Sequence, residues 1–431
     1  ELLKKEDLAK LTELDARADR DSEPSEKITD LTGLEYCTGL TKLVLLQNKI
    51  RDVNPLANLT NLKHLGLYHN QIRDISPLAN LSSLTHLDLN ANQVTDLNDM
   101  ANLTSLIYLY LNDNQLTNID GLINLRKLEI LHLVDNKIAD ISPLSNLTNL
   151  TQLYVRGNQL KDISGIANLT NVNNLILSNN QVTDISALSK LTGLVYLNLH
   201  YNQISDLSPL IDIIGIKELY LEGNQVREIT PLIKNTGISG KINLKNNPLS
   251  NIAYTTHIPA LIKKGIAIEH DAAPAGTVTF KDANLEKAIR DALRIPTELL
   301  KKEDLAGSEM LVYEGKGGAK ISDLTGLEHC TSLTNLALKS NQLSDLSPLA
   351  NLTNLTRLQL DDNQLSDLSP LANLTDMGYL SIDRNQLSDL SPLVNLATGY
   401  LDLRSNQISD ISALVENTSI SGKINFKDNP L

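Results

Sequence analysis

Tryptophan is absent from these 431 residues, and phenylalanine occurs only twice, at Phe280 and Phe426. A compact core of this size would use more large rings, so the chain reads as two domains or an elongated array. Cysteine is nearly absent too. Cys37 and Cys330 occupy matching phrases, "LEYCTGL" and "LEHCTSL", and so belong to separate copies of one module. They are expected to be buried thiols packing as small apolar groups, not partners in a disulfide. No run of 18 apolar residues exists, which excludes a membrane-spanning helix and membrane insertion. Basic residues are in deficit, 38 Lys and Arg against 51 Asp and Glu, for a net charge of -13. That balance argues against a nucleic-acid partner, whose phosphates call for a basic face. Catalytic motifs are missing as well: no P-loop, no paired-histidine zinc motif, no G-x-S-x-G. The glycines of "EGKGGAK" lack phosphate-loop spacing, and the eight histidines are too scattered to assign a metal site. The expectation is a protein without catalysis, cofactor or metal.

What is present is repetition. Asn48, Asn70, Asn92, Asn114, Asn136, Asn158, Asn180, Asn202 and Asn224 fall every 22 residues, and Asn341, Asn363, Asn385 and Asn406 form a second series. Each closes the pattern L-x-x-L-x-L-x-x-N, the leucine-rich-repeat signature. The alternation around the inner leucines predicts a short strand with leucines turned into a shared core. The Asn is expected to bond backbone groups that the turn leaves unpaired, repeat after repeat. One repeat cannot bury its own leucines, whereas a stack can. The predicted fold is therefore an α/β solenoid: two leucine-rich-repeat arrays with parallel concave strands, short turns or 3-10 segments on the convex side, and helical caps.

A column of aspartates accompanies the asparagines, as in Asp74, Asp96, Asp140 and Asp367. A calcium ladder would need several oxygen ligands and glycines in one short stretch, and each repeat offers one carboxylate. The Asp is better read as capping the turn that follows, where prolines such as Pro77 and Pro143 set the backbone. The "NLT" and "NLS" triplets are formal glycosylation acceptors that repeat consensus also explains.

The phrase "PLANLTNLTRLQLDDNQLSDLSPL" resembles the 22-residue repeats of bacterial internalins and related surface proteins. The likeness covers most of the chain through period, asparagine ladder and D-[IL]-S-P-L together. It implies a non-catalytic binding protein, extracellular or displayed on a prokaryotic cell surface, that engages a protein through its concave face.

The chain is expected to divide into a first module, 1–271, with a partial N-cap at 1–39, repeats at 40–249 and a C-cap at 250–271. Residues 272–276 form a linker. A second module, 277–431, has an N-cap at 277–332 and repeats at 333–431. In the first C-cap, Ile258, Leu261 and Ile262 have helical spacing, and "IAIEH" reads as a last strand. In the second N-cap, Asp282 is a good helix N-cap, with Leu285, Ala288, Ile289, Ala292 and Leu293 as one apolar face. "ELLKKEDLA" occurs twice, at 1–9 and 298–306, and "GKINLKNNPL" returns as "GKINFKDNPL". Read together, these phrases suggest a window from a longer series of cap–array modules, with proteolysis of a two-module protein as the other explanation.

The outward strand positions carry the candidate site. Of the twelve tyrosines, Tyr68, Tyr108, Tyr110, Tyr154, Tyr196, Tyr220, Tyr379 and Tyr400 lie there, with His64, His86, His132 and His200. Tyr110, His132 and Tyr154 are expected in one column, with Tyr108 beside the first and Arg156 beside the last. Tyr and Arg offer large, rigid area with a polar tip, which suits binding hot spots. The candidate ligand-binding set is Tyr68, Tyr108, Tyr110, His132, Tyr154, Arg156, Tyr196, His200 and Tyr220. The second array presents milder residues, such as Asn335, Gln359, Asp361, Ser381 and Asp383, and reads as a spacer or weaker site. Two functions follow: a protein-binding adhesion module, or a structural segment of a stalk, surface layer or filament in which copies associate end to end.

Overall fold

The computed structural model describes residues 4–19, 21, 23, 25–296, 299–315, 319–415 and 417–431. The middle of "EGKGGAK", Lys316–Gly318, and the first three residues of the opening "ELLKKEDLA" lie outside the described residues. The chain forms two compact units. One comprises Glu1–Pro248 with Ala260–Asp271, the other Leu249–Pro259 with Ala272–Leu431.

In the first unit, described residues form one twelve-stranded parallel sheet in strict chain order. Its strands are β1 (Glu13–Asp15), β2 (Lys42–Val44), β3 (His64–Gly66), β4 (His86–Asp88), β5 (Tyr108–Tyr110), β6 (Ile130–His132), β7 (Gln152–Tyr154), β8 (Asn174–Ile176), β9 (Tyr196–Asn198), β10 (Glu218–Tyr220), β11 (Lys241–Asn243) and β12 (Ala267–Glu269). The repeat leucines are in register: Leu43 faces Leu65 and Leu65 faces Leu87, and all three are buried. From β2 to β10 a connection of about twenty residues returns each strand to the start of the next through one 3-10 turn, such as Ser76–Leu78, whereas a short α-helix, Thr230–Lys234, lies between β10 and β11. The leucine-rich solenoid expected from the repeat spacing is therefore present. Two strands fall outside the repeat pattern, because the cap before β2 contributes β1 and "IAIEH" contributes β12.

The second unit repeats the plan with β13 (Met310–Val312), β14 (Asn335–Ala337), β15 (Arg357–Gln359), β16 (Tyr379–Ser381), β17 (Thr398–Asp402) and β18 (Ile420–Asn425). Its cap helix, Ala283–Leu293, starts at Asp282, whose side chain accepts hydrogen bonds from the Asn284 and Leu285 amides. Leu285, Ala288 and Ile289 pack into the core; Ala292, at the edge of the predicted apolar stripe, is exposed instead. Within the Leu249–Pro259 segment, Asn251 is fully buried. Its Nδ2 donates to the carbonyls of Val278 (2.6 Å) and Leu300 (3.1 Å), and its Oδ1 accepts from the Leu300 amide. Ile258 and Leu261 are buried, but Ile262 faces solvent: the helix Ile258–Lys263 buries a narrower stripe than its spacing suggested.

The asparagine column is the polar spine of both units. Asn114 shows the pattern: its Nδ2 donates to the carbonyls of Leu89 in the preceding repeat and of Leu111 and Asn112 in its own. Its Oδ1 accepts from the Val94 amide of the preceding repeat at 2.9 Å. Buried backbone groups that the turn frees are thereby paired. The aspartates do what a capping residue should. Asp74 Oδ1 accepts from the amide of Ser76, the first residue of the 3-10 turn, and Asp140 and Asp367 do the same for Ser142 and Ser369.

Candidate functional site

Because the strands pair in register, side chains at equivalent outward positions line up across the first unit's sheet. The first strand position carries His64, His86 and Tyr108. Their ring centroids lie 5.2 Å and 4.4 Å apart in turn. Thr85 Oγ1, 2.9 Å from His86 Nδ1, helps fix the middle ring.

The third position carries Asp88, Tyr110, His132 and Tyr154 on successive strands. Tyr110 meets His132 edge to face at 5.0 Å, and His132 stacks on Tyr154 at 4.1 Å. The rings are half-buried, and Arg156 beside Tyr154 is exposed. Burial depresses the His132 pKa to about 4, so the ring is neutral near pH 7. Its Nε2 atom is buried without a hydrogen-bond partner. Burial likewise raises the Tyr110 and Tyr154 hydroxyls above their ordinary range. The result is a neutral aromatic strip with polar edges.

A second cluster occupies β9 to β12. Tyr196 and Tyr220 are 5.4 Å apart, and His200 meets Tyr220 edge to face at 5.2 Å. Glu222 gathers donors here: Tyr201 Oη at 2.8 Å and the side-chain amides of Asn243 and Asn246 at 3.1 Å each. Those hydrogen bonds, led by Tyr201, hold the Glu222 carboxyl below the usual range. The Tyr220 hydroxyl donates to Glu218 at 2.6 Å, which pushes its pKa up to about 12. The Glu222, Tyr201 and Tyr220 side chains are thus paired within this cluster, whereas the His200 Nε2 atom is buried without a hydrogen-bond partner.

The structure brings Tyr108, Tyr110, His132, Tyr154 and Arg156 together on β5 to β7, and Tyr196, His200 and Tyr220 further along. Tyr68 stands apart from both, near His69 at the edge of a hollow with Lys27 and Gln47. One feature of the face was not anticipated. Gly66 leaves a gap at the third position of β3, and a hollow of about 350 Å³ opens over it, lined by His64, His86, Asp88 and Tyr110 among others. Burial pushes the Asp88 carboxyl above its ordinary pKa. The signal was present in "HLGLYHN", where glycine replaces the outward side chain between two strand leucines.

Parallel strands in register, a leucine interior and a buried asparagine ladder define a repeat protein that displays one sheet face. A family model described as leucine-rich repeats in two copies matches residues 60–102, 104–146, 126–168, 170–212, 192–234 and 353–395, half of the chain. The chain belongs to the leucine-rich-repeat family, and its fold is that of an internalin repeat domain. Among solved structures, the functional domain of InlJ from Listeria monocytogenes is similar at 21% identity and a TM-score of 0.51, over 95% of this chain and 77% of that one. A leucine-rich-repeat protein of Leptospira interrogans is similar at 21% identity and a TM-score of 0.50, over 97% and 91%. An internalin from Listeria monocytogenes, InlF, shares 24% identity over 99% and 90%, with a TM-score of 0.48. No curated protein sequence matches the chain. The InlJ domain includes a cysteine ladder. Here Cys37 and Cys330 are buried free thiols in separate units, as their positions suggested. No helix among the described residues is long and apolar enough to cross a membrane.

Proposed function

We propose that the first unit is an extracellular, non-catalytic adhesion module that binds a protein through the outward face of β3 to β7, the concave side of the solenoid. One observation carries this reading: two in-register ring columns, His64–His86–Tyr108 and Tyr110–His132–Tyr154, lie side by side, half-buried and uncharged. Such a surface offers rigid area at low entropic cost, with hydroxyl tips and the Arg156 guanidinium for orientation. The hollow at Gly66 gives a partner side chain a place to enter. Partner residues of matching chemistry are apolar or aromatic, with a donor able to reach Asp88.

The test is a panel of extracellular protein domains screened against the full chain and two double variants. Tyr110→Ala with Tyr154→Ala is expected to abolish a specific binder, whereas Tyr379→Ala with Tyr400→Ala leaves it bound. Equal binding by both variants would remove the first face from consideration. A structural role in a stalk or layer has one observation in its favour: the same cap and repeat plan occurs twice in one chain. Electron microscopy of native material distinguishes the two readings, since regular fibres or lattices belong to the structural one.

A further inference from the structure

Several carboxylates on the first unit's sheet have side-chain partners. Glu218 accepts from the Tyr220 hydroxyl, Glu222 accepts from Tyr201 and Asn243, and Glu269 pairs with Lys241 at 2.8 Å. Asp88 differs. Its Oδ1 accepts from the Asn90 amide at 3.0 Å, and no charge among the described residues offsets the burial that works against its ionised form. This half-buried carboxylate forms one wall of the hollow over Gly66.

The neighbouring walls are neutral. Burial holds the His64 and His86 imidazoles below their ordinary pKa, so both rings are uncharged near pH 7. Thr85 Oγ1 donates to the Lys63 carbonyl at 2.9 Å, which uses its one proton. His86 Nδ1 is then the donor toward Thr85, and its Nε2 is left as an acceptor. Val44 and Leu87 are buried beneath, and the Tyr110 ring is half-buried. Two cations line the side nearest β1. Arg17 is neutralised by Asp15 at 2.6 Å. Lys42 is exposed on β2, two strands and about 10 Å across the sheet from β4, where water and salt screen it.

We infer that the hollow over Gly66 receives an arginine side chain of a protein partner. The guanidinium donates to Asp88 and to His86 Nε2, and its plane lies against the His86 and Tyr110 rings. Asp88 thereby gains the counter-charge it lacks. A guanidinium suits this place because it is planar, carries five donors, sheds water readily and stacks on rings. A cavity of about 150 Å³ already takes a benzene-sized ring, so about 350 Å³ has room for the head and its stem. This identifies the partner's chemistry at the proposed binding face and rests on that reading.

The probe is N-acetyl-arginine methylamide, titrated into the full chain with its histidine and tyrosine rings labelled for NMR. The citrulline counterpart, of the same shape without the charge, is the control. The His64, His86 and Tyr110 resonances are expected to move, with a Kd at least about tenfold lower for arginine than for citrulline, as a charged hydrogen bond implies. Asp88→Asn keeps an acceptor for the Asn90 amide and is expected to erase that preference. Gly66→Val fills the hollow and is expected to abolish binding. An added Cβ there meets the end of the Leu46 side chain at 3.2 Å and Val44 no closer than 3.8 Å, and Val44 itself occupies the equivalent place on β2. Should Gly66→Val not fold, Asp88→Asn decides. Unmoved ring resonances, equal affinity for arginine and citrulline, or a preference kept by Asp88→Asn would overturn the inference. So would an equal response to methyl glucoside, which would make the hollow a sugar site. If arginine fails while Tyr110→Ala with Tyr154→Ala still loses a panel binder, the face remains the binding surface and only the arginine is removed.

Discussion

In the first unit the third strand position runs Asp88, Tyr110, His132, Tyr154; in the second it runs Ala337, Gln359, Ser381, Asp402. Two residues further along, the second unit presents Lys339, Asp361, Asp383 and Arg404. These close on one another: Lys339 pairs with Asp361 at 3.0 Å, Ser381 donates to Asp361, and Arg404 reaches Asp402 at 2.8 Å and Asp383 at 3.5 Å. Tyr379 and Tyr400 stack at 4.6 Å, and Arg357 covers Tyr379 at 4.2 Å. One repeat plan thus supports two kinds of surface. The second face pairs its charges with one another and leaves the Asn335 Oδ1 without a partner, while the first displays half-buried rings and leaves the Nε2 atoms of His132 and His200 without one.

If the contrast lies only in the outward residues, the scaffold beneath must respond alike in both units. Asn114→Ala and Asn363→Ala each delete buried bonds and strand backbone carbonyls of the same kind. Each is expected to destabilise its own unit by about 3–5 kcal/mol, since every buried group left unpaired costs about 1–3 kcal/mol. Urea unfolding followed by hydrogen exchange, unit by unit, gives the two values. A large loss in one unit and none in the other would break the comparison at its base.

The next effect is expected in binding. Against a ligand from the panel, the Tyr110→Ala and Tyr154→Ala double variant should lose about 2 kcal/mol or more of affinity. The Tyr379→Ala and Tyr400→Ala pair should change it by less than about 0.5 kcal/mol, the usual range for a surface change away from a site. Unfolding midpoints measured alongside separate lost contact from lost fold.

Self-compensation on the second face has its own test. Asp402 is pushed up by burial, but the Arg404 hydrogen bonds outweigh that and hold its carboxyl below the usual range. Arg404→Ala removes that cation from Asp402 and Asp383, both buried. A loss of about 1–2 kcal/mol in the second unit is expected, as for buried groups losing a charged partner. Arg156→Ala, the exposed counterpart on the first face, should change stability by less than about 0.5 kcal/mol. Equal losses would mean that the two faces do not differ in this respect.

Much of this was legible because the repeat imposes it. Leu43, Leu65 and Leu87 had to share an interior, and Asn70 and Asp74 had to serve the turns, since spacing fixed their environment whatever the neighbours. The column Tyr110–His132–Tyr154 followed from the 22-residue period alone. What escaped was set by context. Nothing in the varied residues Gln47, His69, Ala91 and Asp113 announces the left-handed φ of 51–60° they share; the asparagine that follows imposes it. β1 and β13 fall outside the repeat signature because caps pair with the first repeat through different residues. The hollow over Gly66 depends on an absent side chain, which a search for aromatic residues overlooks.

The finest distinction between the units is in their response to acid. His132 sits on the first face with its pKa depressed to about 4 by burial, and the second face carries no histidine at an outward strand position. In the unfolded chain a histidine titrates near 6.5. Between those values the unfolded state takes up a proton that the folded ring refuses, so stability falls as pH drops from about 6.5 to 4. The whole shift would correspond to about 3 kcal/mol, but the ring is half-exposed and water screens it, so about 1 kcal/mol is expected. His132→Gln should narrow the stability difference between pH 7 and pH 4.5 by that amount, read in the first unit by hydrogen exchange. His64, His86 and His200 are depressed by burial too, so only the difference between variant and parent isolates His132. An unchanged pH profile in the variant would show that the stacked ring admits its proton freely, and the first face would then be as open to charge as the second.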